Sequence, residues 1–456
     1  MTLVSRFDGT GNVPRELQVE CLNWLEQNWA ESVVCFQGGT GFGKSAVGVS
    51  LMKKYGGVYV VPTNALMDQL IETYPEINYL KGKEHYSLET EYKDSLSRYG
   101  SGEPTFVNPY SFKYAKYNTS VKSPPVLIID ECHNMMDTLQ LMASSSISTK
   151  VHGLPKSFEH VDLVNWLDVI VKYLRSAASC EDDLLKKSQL SIRATGIHET
   201  LQALIDEPHI YSVHKDKGRV VFKPIQPPKS VVNEFFRSEK TVLMSATINE
   251  FTVKELVQER KVQFKAFGTP IKVEDRQVLY RPAGFAMNMN TPLRLVASWI
   301  KMQLRKYPDR NAIVHLTYKD VENIREYIPE ALYVTKETKT DDVNEFKKKG
   351  GVLLAAACGT GIDLPYDECR LNIIPRLLKP NLMDGAIKKR KALSDGSQWY
   401  NHQIIDTLIQ QAGRSTRSVD DSSITIVGDK NLKFFMRGIK HEINEDFLSS
   451  IKWGKR

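Results

Sequence analysis

The sequence predicts an α/β architecture: two parallel-sheet domains in tandem, with a mostly helical insertion in the first. Three observations carry this. Short apolar runs alternate with stretches of helical spacing. The runs fall into two series of five. The first series is interrupted by a long segment whose apolar residues repeat only at helical spacing.

The first series reads VVCFQ (33–37), GVYVVP (57–62), TFVN (105–108), VLIID (126–130) and TVLMS (241–245). Such runs place apolar residues at successive rather than alternate positions, which suits strands buried on both faces, as a parallel sheet covered by helices requires. The second series reads NAIVHLT (311–317), ALYVT (331–335), GVLLAAA (351–357), LNIIP (371–375) and SITIVGD (423–429). No sequence repeat relates the two. From about Met135 to Ile210, VDLVNWLDVIVKYLRSA and IHETLQALIDE carry helical spacing and are separated by polar SCEDDLLKKSQ. YSVHKDKGRVVFKPIQPP then has the pattern of a hairpin, or of two strands returning the chain to the first sheet, before prolines end it. The expected organisation is residues 1–134 and 211–272 for the first domain, 135–210 for the insertion and 273–456 for the second domain.

At 456 residues the chain can build two or three domains, each with its own core. Its 41% hydrophobic and 25% charged residues are ordinary for a soluble globular protein. No apolar run approaches the length of a membrane span, and MTLVSRFDGTGN lacks a signal peptide's apolar core. An intracellular protein without a membrane partner is expected. The net charge of +7 is compatible with a polyanionic partner but does not establish one. The runs Lys347 to Lys349 and Lys388 to Lys391 read as solvated surface. Six cysteines occur with no CxxC pair and no metal-ligand spacing, which supports neither a disulfide framework nor a zinc site. Cys35, Cys132 and Cys358 sit in or beside apolar runs and read as small buried thiols.

Residues 38–45, GGTGFGKS, form a complete phosphate-binding loop in its required context of strand, glycine loop and helix. Gly38, Gly41 and Gly43 let the backbone turn its N–H groups around a phosphate, helped by the positive end of the following helix. Gly39, Thr40 and Phe42 complete the cradle. Lys44 can reach β- and γ-phosphates, and the Ser45 hydroxyl suits Mg²⁺.

VLIIDECHN (126–134) ends a buried strand in two carboxylates, at the sheet edge where ligands of open α/β folds bind. After a phosphate loop, Asp130 reads as a holder of Mg²⁺ and Glu131 as the group that polarises an attacking water. His133 either couples this site to the rest of the protein or hydrogen-bonds locally. In QQAGRSTR (410–417), Arg414 and Arg417 lie one helical turn apart, on one face, able to grip a triphosphate together.

VLMSATI (242–248) resembles the Ser-Ala-Thr motif of superfamily 2 helicases, and the three signals above resemble that family's motifs I, II and VI. DECHN and CGTGIDLPYDECRLNIIPRLLKPN (358–381) resemble the XPD/DinG branch, the latter through its motif V. VPTNALMDQL (61–70) looks like motif Ia, FVNPYSF (106–112) like the branch's Thr-Asn-x-x-x-Leu segment, and PRELQ (14–18) like an adenine-reading Q motif. The resemblance covers residues 13 to 430, the insertion excepted, and it implies two RecA-like domains that use ATP and Mg²⁺. It further implies that Gln18 reads adenine, that Gln410, Arg414 and Arg417 reach the nucleotide from the second domain, and that Asp363 senses it. Thr63, Asn64, Asn108 and Thr360 would lie along a nucleic-acid path.

The activity this implies is ATP-driven movement, 5′→3′, of a monomer on single-stranded DNA, with unwinding of duplex or branched DNA. Preference for DNA over RNA rests on the resemblance alone. The chain departs from the branch in one respect. Its members carry four cysteines between motifs I and II that hold an iron–sulfur cluster; here the interval from Ser45 to Glu131 contains none, so no cluster is expected. The replacing stretch, Lys81 to Glu103, is short and polar, and 135–210 occupies the place of the branch's arch domain. Translocation is therefore better supported than unwinding. A nucleic-acid-stimulated ATPase that remodels nucleoprotein without unwinding is the nearest alternative. A nucleotide-dependent binding switch is another, although Glu131, Arg414 and Arg417 argue against it.

Overall fold

The computed structural model describes residues 3, 4, 7, 13–115, 123–288, 290–334, 339–356, 364–416 and 418–454. Along the chain the strands are β1 (Val33–Gly38), β2 (Val58–Val60), β3 (Asn78–Leu80), β4 (Thr105–Val107), β5 (Val126–Ile129), β6 (Ser145–Ser148), β7 (Tyr211–Asp216), β8 (Arg219–Pro224), β9 (Lys240–Ser245) and β10 (Val262–Phe267). They continue as β11 (Arg276–Tyr280), β12 (Ala312–Leu316), β13 (Leu332–Tyr333), β14 (Val352–Ala356), β15 (Leu371–Ile374), β16 (Ser423–Val427) and β17 (Ile451–Trp453).

Two seven-stranded parallel sheets result, ordered β10-β1-β9-β5-β2-β4-β3 and β13-β14-β12-β15-β16-β11-β17. All ten apolar runs read from the sequence are strands in them. The two-residue period of a strand explains why apolar residues must fill successive positions of the runs. In the first sheet Val33, Cys35, Leu127, Ile129 and Leu243 enter the core on one face. Their neighbours Val34, Phe36, Ile128, Val242 and Met244 enter the core on the other. β1, β9 and β5 are neighbours, so their carboxyl ends lie side by side. This delivers the phosphate loop, Ser245 and the Asp130–Glu131 pair to one edge.

The insertion is mostly helical, as expected. Helices His160–Cys180 and Leu184–Asp206 pack through Leu163, Leu167, Ile170, Leu174, Ile197 and Leu201. One expectation needs correcting. The hairpin β7–β8 forms, closed by Lys217 and Gly218 at φ 42° and 77°, but it does not return to the first sheet. It pairs antiparallel with β6 and shares the insertion's core through Tyr211, Val220 and Phe222. The reason is its one-sided pattern: β7 runs on into His214, Lys215 and Asp216, which a sheet covered on both faces cannot accept. The chain rejoins the first sheet only at β9.

The stretch between β3 and β4 holds the helix Glu89–Gly100. Tyr86 stacks on Tyr79 at 5.7 Å and meets Tyr92 edge-on at 5.5 Å, an aromatic ladder that fixes this short segment. The second sheet meets the rest through buried Arg390, which pairs with Glu255, and through Lys389, whose Nζ donates to the Tyr211 carbonyl at 3.2 Å. Among the described residues no helix is long and apolar enough to cross a membrane.

Candidate active site between the two sheets

Helix Lys44–Tyr55 starts directly from Gly43, whose φ of 82°, like the 77° of Gly41, lies in the left-handed region. The first N–H groups of a helix have no partner inside it, so the loop is a cradle for anionic oxygens. Lys44 Nζ donates to the Gly38 carbonyl at 3.3 Å and stands 4.0 Å from Glu131 Oε1. Phe42 takes a structural part. Its ring is buried against Phe36 and Phe267, and a Cβ on Gly38 would stand 2.8 Å from it. Gln18 is buried, accepts from the Arg15 N–H at 2.9 Å and donates to the Gly43 carbonyl at 3.3 Å. Its amide therefore braces the loop directly.

Asp130 is buried at the end of β5. It accepts from the Tyr59 hydroxyl at 2.9 Å and from the Glu131 N–H at 2.9 Å. Burial, then the neighbouring Glu131 charge, push its carboxyl up to about 6, against the pull of Lys44. Tyr59 packs where Gly48 leaves space, since a Cβ there would stand 2.4 Å from its ring. A hydroxyl and a carboxylate are the hard oxygen donors that Mg²⁺ takes alongside phosphates and water. Among the described residues no cluster of three or more His, Cys, Asp or Glu could hold a metal unaided.

Glu131 sits at φ 46°, a conformation that non-glycine residues rarely adopt. Its Oε2 lies 3.2 Å from His133 Nδ1 and accepts from the Ser245 hydroxyl at 3.4 Å. His133 is hydrogen-bonded to that hydroxyl at 2.7 Å, linking the segment after β5 to the end of β9. Ser245 Oγ accepts from the Thr247 N–H at 3.2 Å, and Thr247 Oγ1 accepts from Gln410 Nε2 at 3.4 Å. A polar chain thus runs from the carboxylate of the first sheet to the helix Gly396–Ala412 of the second.

The two halves enclose a cavity of about 830 Å³, lined by Thr40, Glu131, Thr247, Gln410 and Arg414 among others. The contact is close: a Cβ on Gly413 would stand 3.2 Å from Thr40 Oγ1. Beside Arg414, the buried His315 ring is held down to about 4 by desolvation, with the Arg414 charge adding to the effect. Thr63 also lines the cavity, and its hydroxyl caps helix Asn64–Thr73 through Leu66 N at 3.3 Å. Asn64 accepts from Asn108 Nδ2 at 3.0 Å and meets His85 Nε2 at 3.0 Å, while Asn108 caps the next helix through Ser111 N. Thr360, Asp363 and Arg417 lie outside the described residues. Tyr59, Gln37, Thr269, Asn444 and Asp446 belong to the site's surroundings and carried no signal in the sequence.

A second junction lies beside the first. Asn249 caps helix Glu250–Val257 and donates Nδ2 to Asp406 at 3.1 Å, with His402 Nδ1 at 3.2 Å. Burial raises the Asp406 carboxyl well above its ordinary 3.8. The folded state therefore favours the neutral acid. Its contribution is full below the unfolded value and is lost as pH rises through the folded one. Asp406→Asn, neutral at every pH, is expected to raise the thermal midpoint by a few degrees at pH 8 and to leave it unchanged at pH 4. Melting curves across that range check this, and equal shifts at both pH values would refute it.

Two family models match the sequence. The DEAD/DEAH box helicase model covers residues 15–161, and a helicase C-terminal domain model covers residues 302–449. The loop and the acidic pair fall within the first, Gln410 and Arg414 within the second. Solved XPD structures share the fold. An apo XPD is 15% identical with a TM-score of 0.63, over 93% of this chain and 98% of that one. An XPD helicase is 14% identical at 0.65, over 96% and 99%, and Xpd4 of S. tokodaii is 15% identical at 0.61, over 97% and 100%. The chain is a superfamily 2 helicase with an XPD-like fold. No curated protein matches it by sequence. This helicase is an ATP hydrolase, and its helicase domains imply ATP with Mg²⁺ and a nucleic-acid partner.

Proposed function

We propose that this helicase moves 5′→3′ along single-stranded DNA as a monomer and opens duplex or branched DNA. The observation that carries the reading is the shared cavity, lined by Glu131 from one sheet and by Gln410 and Arg414 from the other. A site split in this way works only when the two sheets close on ATP, and reopening after hydrolysis shifts them along a strand. In this reading Gly38 to Gly43 cradle the phosphates, Lys44 neutralises the β- and γ-phosphates, and Gln18 recognises adenine. Ser45 and Asp130 hold Mg²⁺, Glu131 orients the water, and Arg414 with Arg417 stabilises the charge of the transition state. Gln410 and Asp363 report the nucleotide to the second sheet. Thr63, Asn64, Asn108 and Thr360 contact the strand, whose phosphates make binding salt-sensitive. The division into 1–134 with 211–272, 135–210 and 273–456 goes with this reading, with the hairpin 211–224 moved to the insertion.

One observation favours translocation without unwinding as a second reading: no cysteine lies between Ser45 and Glu131, and only a short stretch stands where the branch carries its cluster. ATPase and strand-separation assays on DNA and RNA forks with 5′ or 3′ tails decide between the two. The expected result is turnover stimulated by single strands and release from 5′-tailed DNA forks. Stimulation without release supports the second reading, and turnover indifferent to nucleic acid overturns both.

A further inference from the structure

The eight residues Gly268–Asp275 join β10 of the first sheet to β11 of the second. Where they leave β10 they lie against the phosphate loop. The Gly39 N–H donates to the Gly268 carbonyl at 3.3 Å, and the Thr269 hydroxyl donates to the Thr40 carbonyl at 2.8 Å. The approach is as near as backbone allows, since a Cβ on Gly39 would stand 2.7 Å from Thr269 Cβ.

The same segment is gripped from the second sheet's side. Asp446 Oδ2 accepts from the Thr269 N–H at 2.9 Å. Arg276 donates from Nη1 to the Asp446 carbonyl at 2.7 Å and from Nε to the Ile271 carbonyl at 3.1 Å. Asn444, the cap of helix Glu445–Ser450, donates Nδ2 to Gln37 Oε1 at 2.8 Å, and Gln37 is the last side chain of β1 before the loop. The loop's shape already follows from its glycines, so these bonds do something else. They tie a loop of the first sheet to a helix that packs beside β11 and β17.

We propose that Thr269, Asp446 and Asn444 are positioning residues for ATP hydrolysis: they clasp the phosphate loop to the junction between the sheets, so that loop occupancy and sheet spacing change together. The inference rests on ATP binding at this loop. It adds a route that does not pass through Arg414. Because coupling between two sites is reciprocal, nucleic acid that changes the spacing of the sheets changes the loop's affinity for nucleotide through this clasp.

The test compares wild type with Thr269→Ala, Thr269→Ser, Asp446→Ala and Lys44→Ala. It measures binding of a fluorescent ADP analogue, KM and kcat for ATP with and without oligo-dT or oligo-U, and thermal midpoints. Thr269→Ala is expected to weaken nucleotide binding about fivefold, the worth of one hydrogen bond, and Thr269→Ser to restore it within about twofold. Saturating oligonucleotide is expected to change the wild-type KM about fivefold and that of Asp446→Ala less than about twofold. A purely structural role would lower the thermal midpoint and leave these ratios alone. Wild-type binding in Thr269→Ala, or a wild-type KM change in Asp446→Ala, overturns the clasp, as does a wild-type KM that ignores both oligonucleotides. If Asp446→Ala does not fold, the Thr269 pair decides. Activity retained by Lys44→Ala would instead overturn the assignment of the ATP site itself.

Discussion

Lys44→Ala is expected to abolish ATP turnover, lowering kcat by at least about a thousandfold in a steady-state phosphate-release assay. The side chain is mostly buried between the Gly38 carbonyl and Glu131, where an ammonium is worth more than in bulk water. Phosphoryl transfer to water spreads charge over the γ-phosphate oxygens, and Lys44 is the cation at the head of the loop. Alanine would also leave buried Asp130 without the Lys44 charge that favours its ionised form. The fold should survive, because the side chain belongs to no apolar cluster. Turnover kept above about a tenth of wild type would show that hydrolysis takes place elsewhere.

Arg414→Ala is expected to cut kcat by roughly 10³–10⁵ while equilibrium nucleotide binding changes far less, since such an arginine acts mainly on the transition state. It lies in the turn just beyond the helix that carries Gln410, and its backbone carbonyl accepts from Leu364 N at 3.4 Å, so truncation beyond Cβ leaves the local chain intact. The contrast with Lys44 is diagnostic. Removing the lysine disables an entire cradle, whereas removing the arginine should leave a protein that binds ATP without using it. Equal losses in affinity and kcat would mean that Arg414 serves the ground state and that the split-site reading is wrong. Arg414→Lys should recover little, since an ammonium cannot reproduce the guanidinium fork.

Much of this was legible because the signals are local. VVCFQ, VLIID and TVLMS carry apolar residues at successive rather than alternate positions and became β1, β5 and β9, the strands that carry the chemistry. The loop and the acidic pair each fit within nine residues of chain. Strands at the margins escaped. β3 and β17 are three residues long, and β10, VQFKAF, is half covered, with Lys265 paired to Glu20. β11, second from its sheet's edge, begins with the polar pair Arg276 and Gln277, which hides its apolar end. β6, SSIS, has one buried side chain and no periodicity to read. The residues that support the site escaped for another reason. Thr269 meets Asp446 across 177 positions and Asn444 meets Gln37 across 407, separations over which no spacing rule operates. Tyr59 looks like one more apolar residue of β2 until its hydroxyl is found donating to Asp130.

The clasp also bounds how far the motor can open. With Gly268 and Thr269 held at the loop, the free tether between the sheets shrinks to Pro270–Asp275, of which Val273–Asp275 is coiled into a single turn. Pulled straight, six residues span no more than about 20–22 Å. A stroke longer than that must first break Thr269 from the loop, and so must surrender the geometry that holds the phosphates. The length of a power stroke and the release of spent nucleotide would then be one event, timed by a threonine hydroxyl.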